Sequence, residues 1–328
     1  MTEASPVDTL RTMLADDIQA LDTTILTRLE SPVPLINQLA TYLVAAGGKR
    51  LRPTLTLAFA RALGYEGNEH LKLAASVEFI HTATLLHDDV VDESTLRRGQ
   101  PAANEIFGNQ ASVLVGDFLF SRAFQLMVET NSVRVLKILS DASAIIAQGE
   151  VMQLVFTGDL QLSREQYFNV ISAKTAALFA AACEVGAEVA NADAKKIEAA
   201  HRFGSHLGVA FQITDDILDY QGQTNALGKN VGDDFKEGKL TLPVVIALER
   251  APPFERDFWK RTMVKKKKKD GDLDYAQNLL RQHNALETAA RLAQEEADKA
   301  IAALSDMPAN PLFDLIGKTA RYAVSRRK

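Results

Sequence analysis

A chain of 328 residues that is 47% hydrophobic and 24% charged can bury one large core. Its net charge of -5, with both signs interspersed, leaves no field to draw nucleic acid, and its single cysteine, Cys183, excludes an internal disulfide and a cysteine zinc site. The acidic opening MTEASPVDTL lacks a signal-like apolar stretch and no apolar segment reads as reaching the roughly 18 residues of a membrane span, so a cytoplasmic protein is expected.

In chain order, VDTLRTMLADDIQALDTTILTRL spaces apolar residues three and four apart and predicts a first helix. LINQLATYLVAA stops at Gly47 and Gly48, TLTLAFARAL at Gly64, and AANEIF at Gly108, where helix ends favour glycine. NEHLKLAASVEFIHTATLLHDDVVDE is a long helix ending in acid, and Ser163 and Asn191 stand where later helices need caps. NQASVLVGDFLFSRAFQLM and SAKTAALFAAACEVGAEVA are apolar on nearly every side, which suits the centre of a bundle. Strand alternation is nowhere sustained and no Pro-, Gly- or Ser-rich linker divides the chain. An all-α fold is therefore expected: one domain over 1–328, a single bundle of roughly ten to thirteen helices around a central cavity.

One pattern occurs twice. Asp88, Asp89 and Asp92 follow D-D-x-x-D, and so do Asp215, Asp216 and Asp219 in FQITDDILD. Residues four apart on a helix share a face about 6 Å apart, so Asp88 faces the way of Asp92, and Asp215 that of Asp219. Such like-charge pairs oppose each other by about 0.2 to 0.5 kcal/mol, and by more out of water. A solvated helix end is the plain explanation for one cluster. It weakens for two, because each closes a long apolar run, FIHTATLL or HLGVAFQIT, and so belongs to an interior helix lining a cleft. Two clusters of hard oxygens across such a cleft suit Mg2+ and a bridging phosphate or diphosphate. A Ca2+ storage loop would carry its ligands at alternate positions around a glycine, and neither cluster does.

Cations stand where that anion requires them. GGKRLRP offers Lys49, Arg50 and Arg52 at a helix start, with Pro53 in its first turn. Arg97 and Arg98 follow the first acidic turn and can grip phosphate oxygens in pairs. Lys174 on a strongly apolar helix is costly unless it meets an anion, and Thr175 adds a hydroxyl. Lys229 and Lys239 flank the loop GKNVGDDFKEGKLT, which has the composition of a phosphate-site lid.

GGKRLRP, HDDVVDESTLRRG, SAKT, FQITDDILD and GKNVGDDFKEGKLTLP, in this order over about residues 40 to 245, resemble the trans-prenyl diphosphate synthases, nearest their long-chain octaprenyl-like members. The resemblance implies that Asp88, Asp92 and Asp215, within the candidate metal set completed by Asp89, Asp216 and Asp219, hold three Mg2+, for which Mn2+ can substitute. It implies that Arg97, Lys174, Thr175, Gln212, Lys229 and Lys239 contact the diphosphate of an allylic substrate such as farnesyl diphosphate. Lys49, Arg52, His81 and Arg98 would bind isopentenyl diphosphate. Asp88, Asp92, Lys174 and Asp215 become the catalytic set, and a homodimer is expected.

His81 lies seven residues before Asp88, two helical turns along one face, whereas His87 reads as structural. Ala83 and Thr84, about one turn beneath the metals, are small where a Phe would block a growing chain. A long product, about C40, is expected, with Phe118 or Met127 as the tunnel floor. The plain reading of Ala83 and Thr84 is close helix packing. KKKKK at 265–269 is read as a solvated loop that could touch an anionic membrane. A terpene cyclase is disfavoured by FQITDDILD together with GGKRLRP, and a non-catalytic partner subunit by the presence of both clusters. A short-chain farnesyl or geranylgeranyl diphosphate synthase is the nearer alternative.

Overall fold

The computed structural model describes residues 4–45, 47–97, 99–221 and 232–325. The first half is α1 (Pro6–Met13), α2 (Ala15–Leu29), α3 (Pro34–Ala45), α4 (Leu51–Ala62), α5 (Glu69–Val91), α6 (Ala103–Phe107), α7 (Asn109–Glu129) and α8 (Val133–Phe156). Then come α9 (Arg164–Ile171), α10 (Ala177–Val189), α11 (Ala194–Gln221), α12 (Asp233–Glu237) and α13 (Leu242–Arg250). The chain closes with α14 (Pro253–Trp259), α15 (Asp272–Gln282), α16 (Ala285–Ala303) and α17 (Pro311–Ser325). The strand content among the described residues is one antiparallel pair, β1 (Leu96–Arg97) with β2 (Gln100–Pro101).

The fold is all-α, with seventeen α-helical segments among the described residues instead of ten to thirteen. Short helices such as α6 and α12, of five residues each, fall below what periodicity can register. The first expected helix is also cut in two at Leu14, whose backbone leaves the helical region. Ser163 caps α9 with a reciprocal Gln166 bond, as its sequence suggests. Asn191 does not cap α11; it takes a positive φ of 53° after α10, and the Asp193 carboxylate accepts from Lys196 N at 3.0 Å instead.

Nine of the thirteen residues of α10 are buried and none is exposed, as an all-round apolar helix should be. α7 is not: Val113, Leu114, Phe124 and Val128 are exposed while its other face packs on α5. One apolar cluster gathers α4, α5, α7 and α10, a second gathers α13 to α16, and α11 feeds Phe203 and Leu207 to the first and Ile213 and Tyr220 to the second. The expectation that no apolar segment reaches membrane-spanning length needs correction. Asn109–Glu129 and Arg164–Val189 are long and apolar enough, with 44% and 72% of their most apolar windows buried within the bundle.

A π-helical turn, Ser172–Ala176, joins α9 to α10. Two glycines let neighbouring helices close on it. A Cβ at Gly149 of α8 would lie 2.6 Å from Lys174 N, and one at Gly208 of α11 would lie 2.5 Å from the Ala176 Cα. Both contacts are backbone, which cannot swing aside. Gly149→Ala is therefore expected to cost about 1 to 3 kcal/mol in chemical unfolding, with a matching loss of any function resting on Lys174.

Candidate active site

Carboxylates at a helix C-terminus oppose the local dipole, so the last turn of α5 needs compensation. Each of its aspartates has a cation. Asp89, 3% exposed, takes Arg97, whose Nε donates at 2.9 Å and whose Nη2 approaches the same oxygen. Asp88 stands 3.4 Å from the Lys174 Nζ. Asp92, the C-cap, accepts from the Lys239 Nζ at 2.6 Å, and Lys239 also reaches Glu237 at 2.6 Å. Burial opposes the Lys239 charge, but Asp92, Glu237 and Asp234 outweigh it and hold its pKa above the usual lysine range.

The π turn aims Lys174 and Thr175 at opposite partners. Lys174 donates to Glu150 at 2.6 Å and Gln153 at 2.7 Å, both on α8. Thr175 donates to Gln212 at 2.8 Å, and Gln212 donates onward to Asp216 at 2.8 Å. Asp216 is 2% exposed and also accepts from the Tyr167 hydroxyl at 2.5 Å. Burial first, and Asp234 second, push the Asp216 carboxyl up to about 7. Asp219 accepts from the first backbone amides of α12, Asp233 N at 3.1 Å and Asp234 N at 3.2 Å. Of the second triplet, Asp216 is thus withdrawn into hydrogen bonds and Asp219 caps a helix, while Asp215 stays half-buried beside them. Lys174 on Asp88 beside Thr175 on Gln212, and Lys239 between Asp92 and Glu237 of α12, link the acidic ends of α5 and α11.

The expected second cation group is partly assembled. Arg52 Nη1 lies 3.2 Å from the His81 Nε2, and its guanidinium stacks on the Phe179 ring at 4.1 Å. His81 is about 10 Å along α5 from Asp88. Lys49 donates to the Tyr322 hydroxyl at 3.5 Å, so α17 reaches the GGKRLRP segment. Arg50 has φ 45° at the start of α4 and is engaged by Asp22 and Glu78. Arg98 and Lys229 lie outside the described residues. His87 approaches the Val113 carbonyl at 3.1 Å and stacks on Phe120.

Among the chain-length candidates, Thr84 is half-buried and donates to the His81 carbonyl at 2.8 Å. Ala83 has 0% exposure and belongs to the apolar core, as does Met127, also 0%. Phe118 is half-buried, with the Arg122 guanidinium 4.9 Å from its ring centroid.

Glu150, Gln153, Tyr167 and Glu237 carry the network yet were not singled out from the sequence. Glu150 and Gln153, three apart in the last two turns of α8 among Val151, Met152, Leu154, Val155 and Phe156, were the readable signal. Burial and then Asp88 push the Glu150 carboxyl up to about 7, against the pull of Lys174. The folded chain then keeps this proton from about 4.5, where the unfolded chain releases it, up to about 7, so its contribution to stability falls as pH rises through that window. Glu150→Gln is expected to flatten that part of the slope in denaturation midpoints measured without divalent ions.

The donor set suits a hard divalent cation: Asp88, Asp92 and Glu150 concentrate carboxylate oxygens within electrostatic reach of one another, with no thiol among them. Among the described residues no three ligating side chains converge on one point. Each ion could therefore take one or two carboxylates and complete its shell with water and phosphate oxygens, which is how Mg2+ binds.

A profile described as polyprenyl synthetase matches residues 33–280. The chain belongs to the polyprenyl synthetase family. It is 45% identical over 320 residues to octaprenyl diphosphate synthase of Escherichia coli (strain K12), covering 98% of this chain and 99% of that protein. A polyprenyl synthase from Caulobacter crescentus CB15, solved with calcium and isoprenyl diphosphate, superposes with a TM-score of 0.96 at 51% identity, covering 100% of both chains. A decaprenyl diphosphate synthase from Rhodobacter capsulatus gives 0.94 at 49%, covering 98% of this chain and 99% of that one. The polyprenyl synthetase fold therefore extends over the whole chain, including α15 to α17, which lay beyond the motif resemblance.

Proposed function

We propose that this polyprenyl synthetase joins isopentenyl diphosphate to an allylic diphosphate such as farnesyl diphosphate. The product is a long all-trans polyprenyl diphosphate of about C40, serving as a quinone side chain. The observation that carries this reading is the pairing of Lys174 with Asp88 and of Lys239 with Asp92, which gathers anion-binding and cation-binding groups at one turn of α5.

Asp88, Asp92 and Asp215 would hold Mg2+, three ions per site in this reading, whose Lewis acidity stabilises the diphosphate as it leaves. Lys174, Thr175, Gln212 and Lys239 meet the allylic diphosphate and favour it most once the C–O bond has broken and its charge is complete. Arg97 acts by fastening Asp89. Lys49, Arg52 and His81 hold isopentenyl diphosphate so that its double bond attacks the allylic cation. A proton then leaves the new bond's neighbour for the departed diphosphate, and the chain is five carbons longer. The apolar walls of α5, α7 and α10 keep water from the cation.

The protein acts as one helical domain and as a homodimer in the cytoplasm, with peripheral membrane contact for product release. The exposed apolar residues Leu114 and Val128 of α7 and Val151 and Val155 of α8, 59% to 70% accessible, are the face assigned to the second copy. Incubating the purified chain with Mg2+, radiolabelled isopentenyl diphosphate and farnesyl diphosphate is expected to give products resolved by reversed-phase chromatography at about C40. Absence of any extension would remove the enzymatic reading, and shorter products would leave a short-chain synthase.

A further inference from the structure

The lysine run at 265–269 is not used by the chemistry above, yet its place in the fold is specific. The loop follows the π-helical turn Lys260–Val264 and is folded back on itself. Lys267 N donates to the Arg261 carbonyl at 3.0 Å, and Arg261 donates to the Lys267 carbonyl at 2.7 Å. The Arg261 guanidinium also grips both oxygens of Asp272 at 2.7 Å, and Asp272 accepts from Lys269 N at 2.7 Å. The backbone is thus fixed, while Lys265, Lys266, Lys267 and Lys269 are exposed. Among the described residues none of the five ammonium groups forms an ion pair with a carboxylate. Asp270 follows the run as an exposed counter-charge, whereas Asp272 is neutralised by Arg261.

The loop also adjoins the candidate active site. Lys268 lies over the ring of Phe235 on α12, 5.6 Å from its centroid. A Cβ at Gly238 would be 2.8 Å from the Met263 carbonyl and 3.8 Å from the Lys266 Cε. The next residue is Lys239, the partner of Asp92. Beside the run, Val264 is 43% exposed, and a Cβ at Gly158, two residues past α8, would lie 3.7 Å from its Cα. The result is a positive patch of four exposed lysines with Lys268 beside them and an apolar residue at its edge, on a chain of net charge -5. Its complement is an extended anionic surface, since a single small anion would engage only two or three of these splayed groups.

We propose that Lys265–Lys269 docks the protein on an anionic lipid surface, setting the α12 side of the site against the bilayer. This rests on the reading of the product as a long apolar diphosphate, which would pass into lipid at that point; the docking itself needs no substrate.

The test is co-sedimentation of the full chain with vesicles of phosphatidylcholine, alone or mixed with phosphatidylglycerol. Wild type is expected to bind the mixed vesicles, to release them as salt rises, and to ignore the neutral ones. Lys265→Ser, Lys267→Ser and Lys269→Ser together should lower partition about 100-fold, at about five-fold per lysine. A control with Lys137, Lys195 and Lys299 changed to Ser, equal in net charge, should bind as wild type does. Equal binding to neutral vesicles, salt-insensitive binding, or equal loss in both triple variants would overturn the proposal. So would a raised KM for isopentenyl diphosphate in the first triple variant without vesicles, which would assign the run to substrate capture. Failure to extend a prenyl chain in solution would sink the synthase reading and leave the vesicle result standing.

Discussion

Asp88→Ala is expected to lower kcat for prenyl extension by about 10³-fold or more, with KM for isopentenyl diphosphate changed far less. The lost carboxylate would be a metal donor that acts chiefly while the C–O bond breaks. Its removal should spare the fold, because Lys174 keeps Glu150 and Gln153 as partners. Asp89→Ala should behave differently although it is the adjacent residue. Asp89 is 3% exposed and carries Arg97, so its loss leaves a half-buried guanidinium unpaired and costs roughly 3 kcal/mol in chemical unfolding. Steady-state kinetics with denaturation curves on both variants separate the two roles. Wild-type kcat in Asp88→Ala would detach the α5 turn from the chemistry.

Thr84→Phe is expected to shorten the product to a few isoprene units beyond the primer, with the rate of the first condensation kept within about ten-fold. Thr84 is half-buried about one turn, roughly 6 Å, below Asp88, so a benzyl side chain there stands where the growing chain must pass. Ala83→Phe should shorten it too, but at a cost in stability. Ala83 has no accessible surface, and a Phe must displace core neighbours for about 1 to 3 kcal/mol. Product analysis by reversed-phase chromatography, with thermal melts alongside, distinguishes them. Unchanged length in both variants would mean that these positions are small only to let helices pack.

The all-helical class was legible because apolar residues recur three and four apart over long segments such as 7–29, where Val7, Leu10, Leu14, Ile18, Leu21, Ile25 and Leu29 are all buried. Short helices and the break at Leu14 were not, since five to eight residues hold too few turns to show a face. The acidic triplets were legible as a pattern, but not which member does what. Burial of Asp89 and Asp216 depends on Arg97 from a hairpin and Tyr167 from α9, partners fixed only by tertiary packing. Glu150 and Gln153 sat in plain view as a polar pair in the apolar last turns of α8, and their use appears only when α8 meets the π turn. That turn, five residues long, had no periodic signature, and the backbone approach it meets at Gly149 and Gly208 appears only in the packed fold.

The inner aspartate of each triplet is tied down on its own helix turn, one by a guanidinium and the other by a phenol and an amide. Rotation of either turn would tear those bonds, so the outer carboxylates are presented at a fixed azimuth whatever charge faces them. When an ionising bond shifts negative charge outward by an ångström or so, a frame of this stiffness answers without rearranging, and little reorganisation energy is added to the barrier.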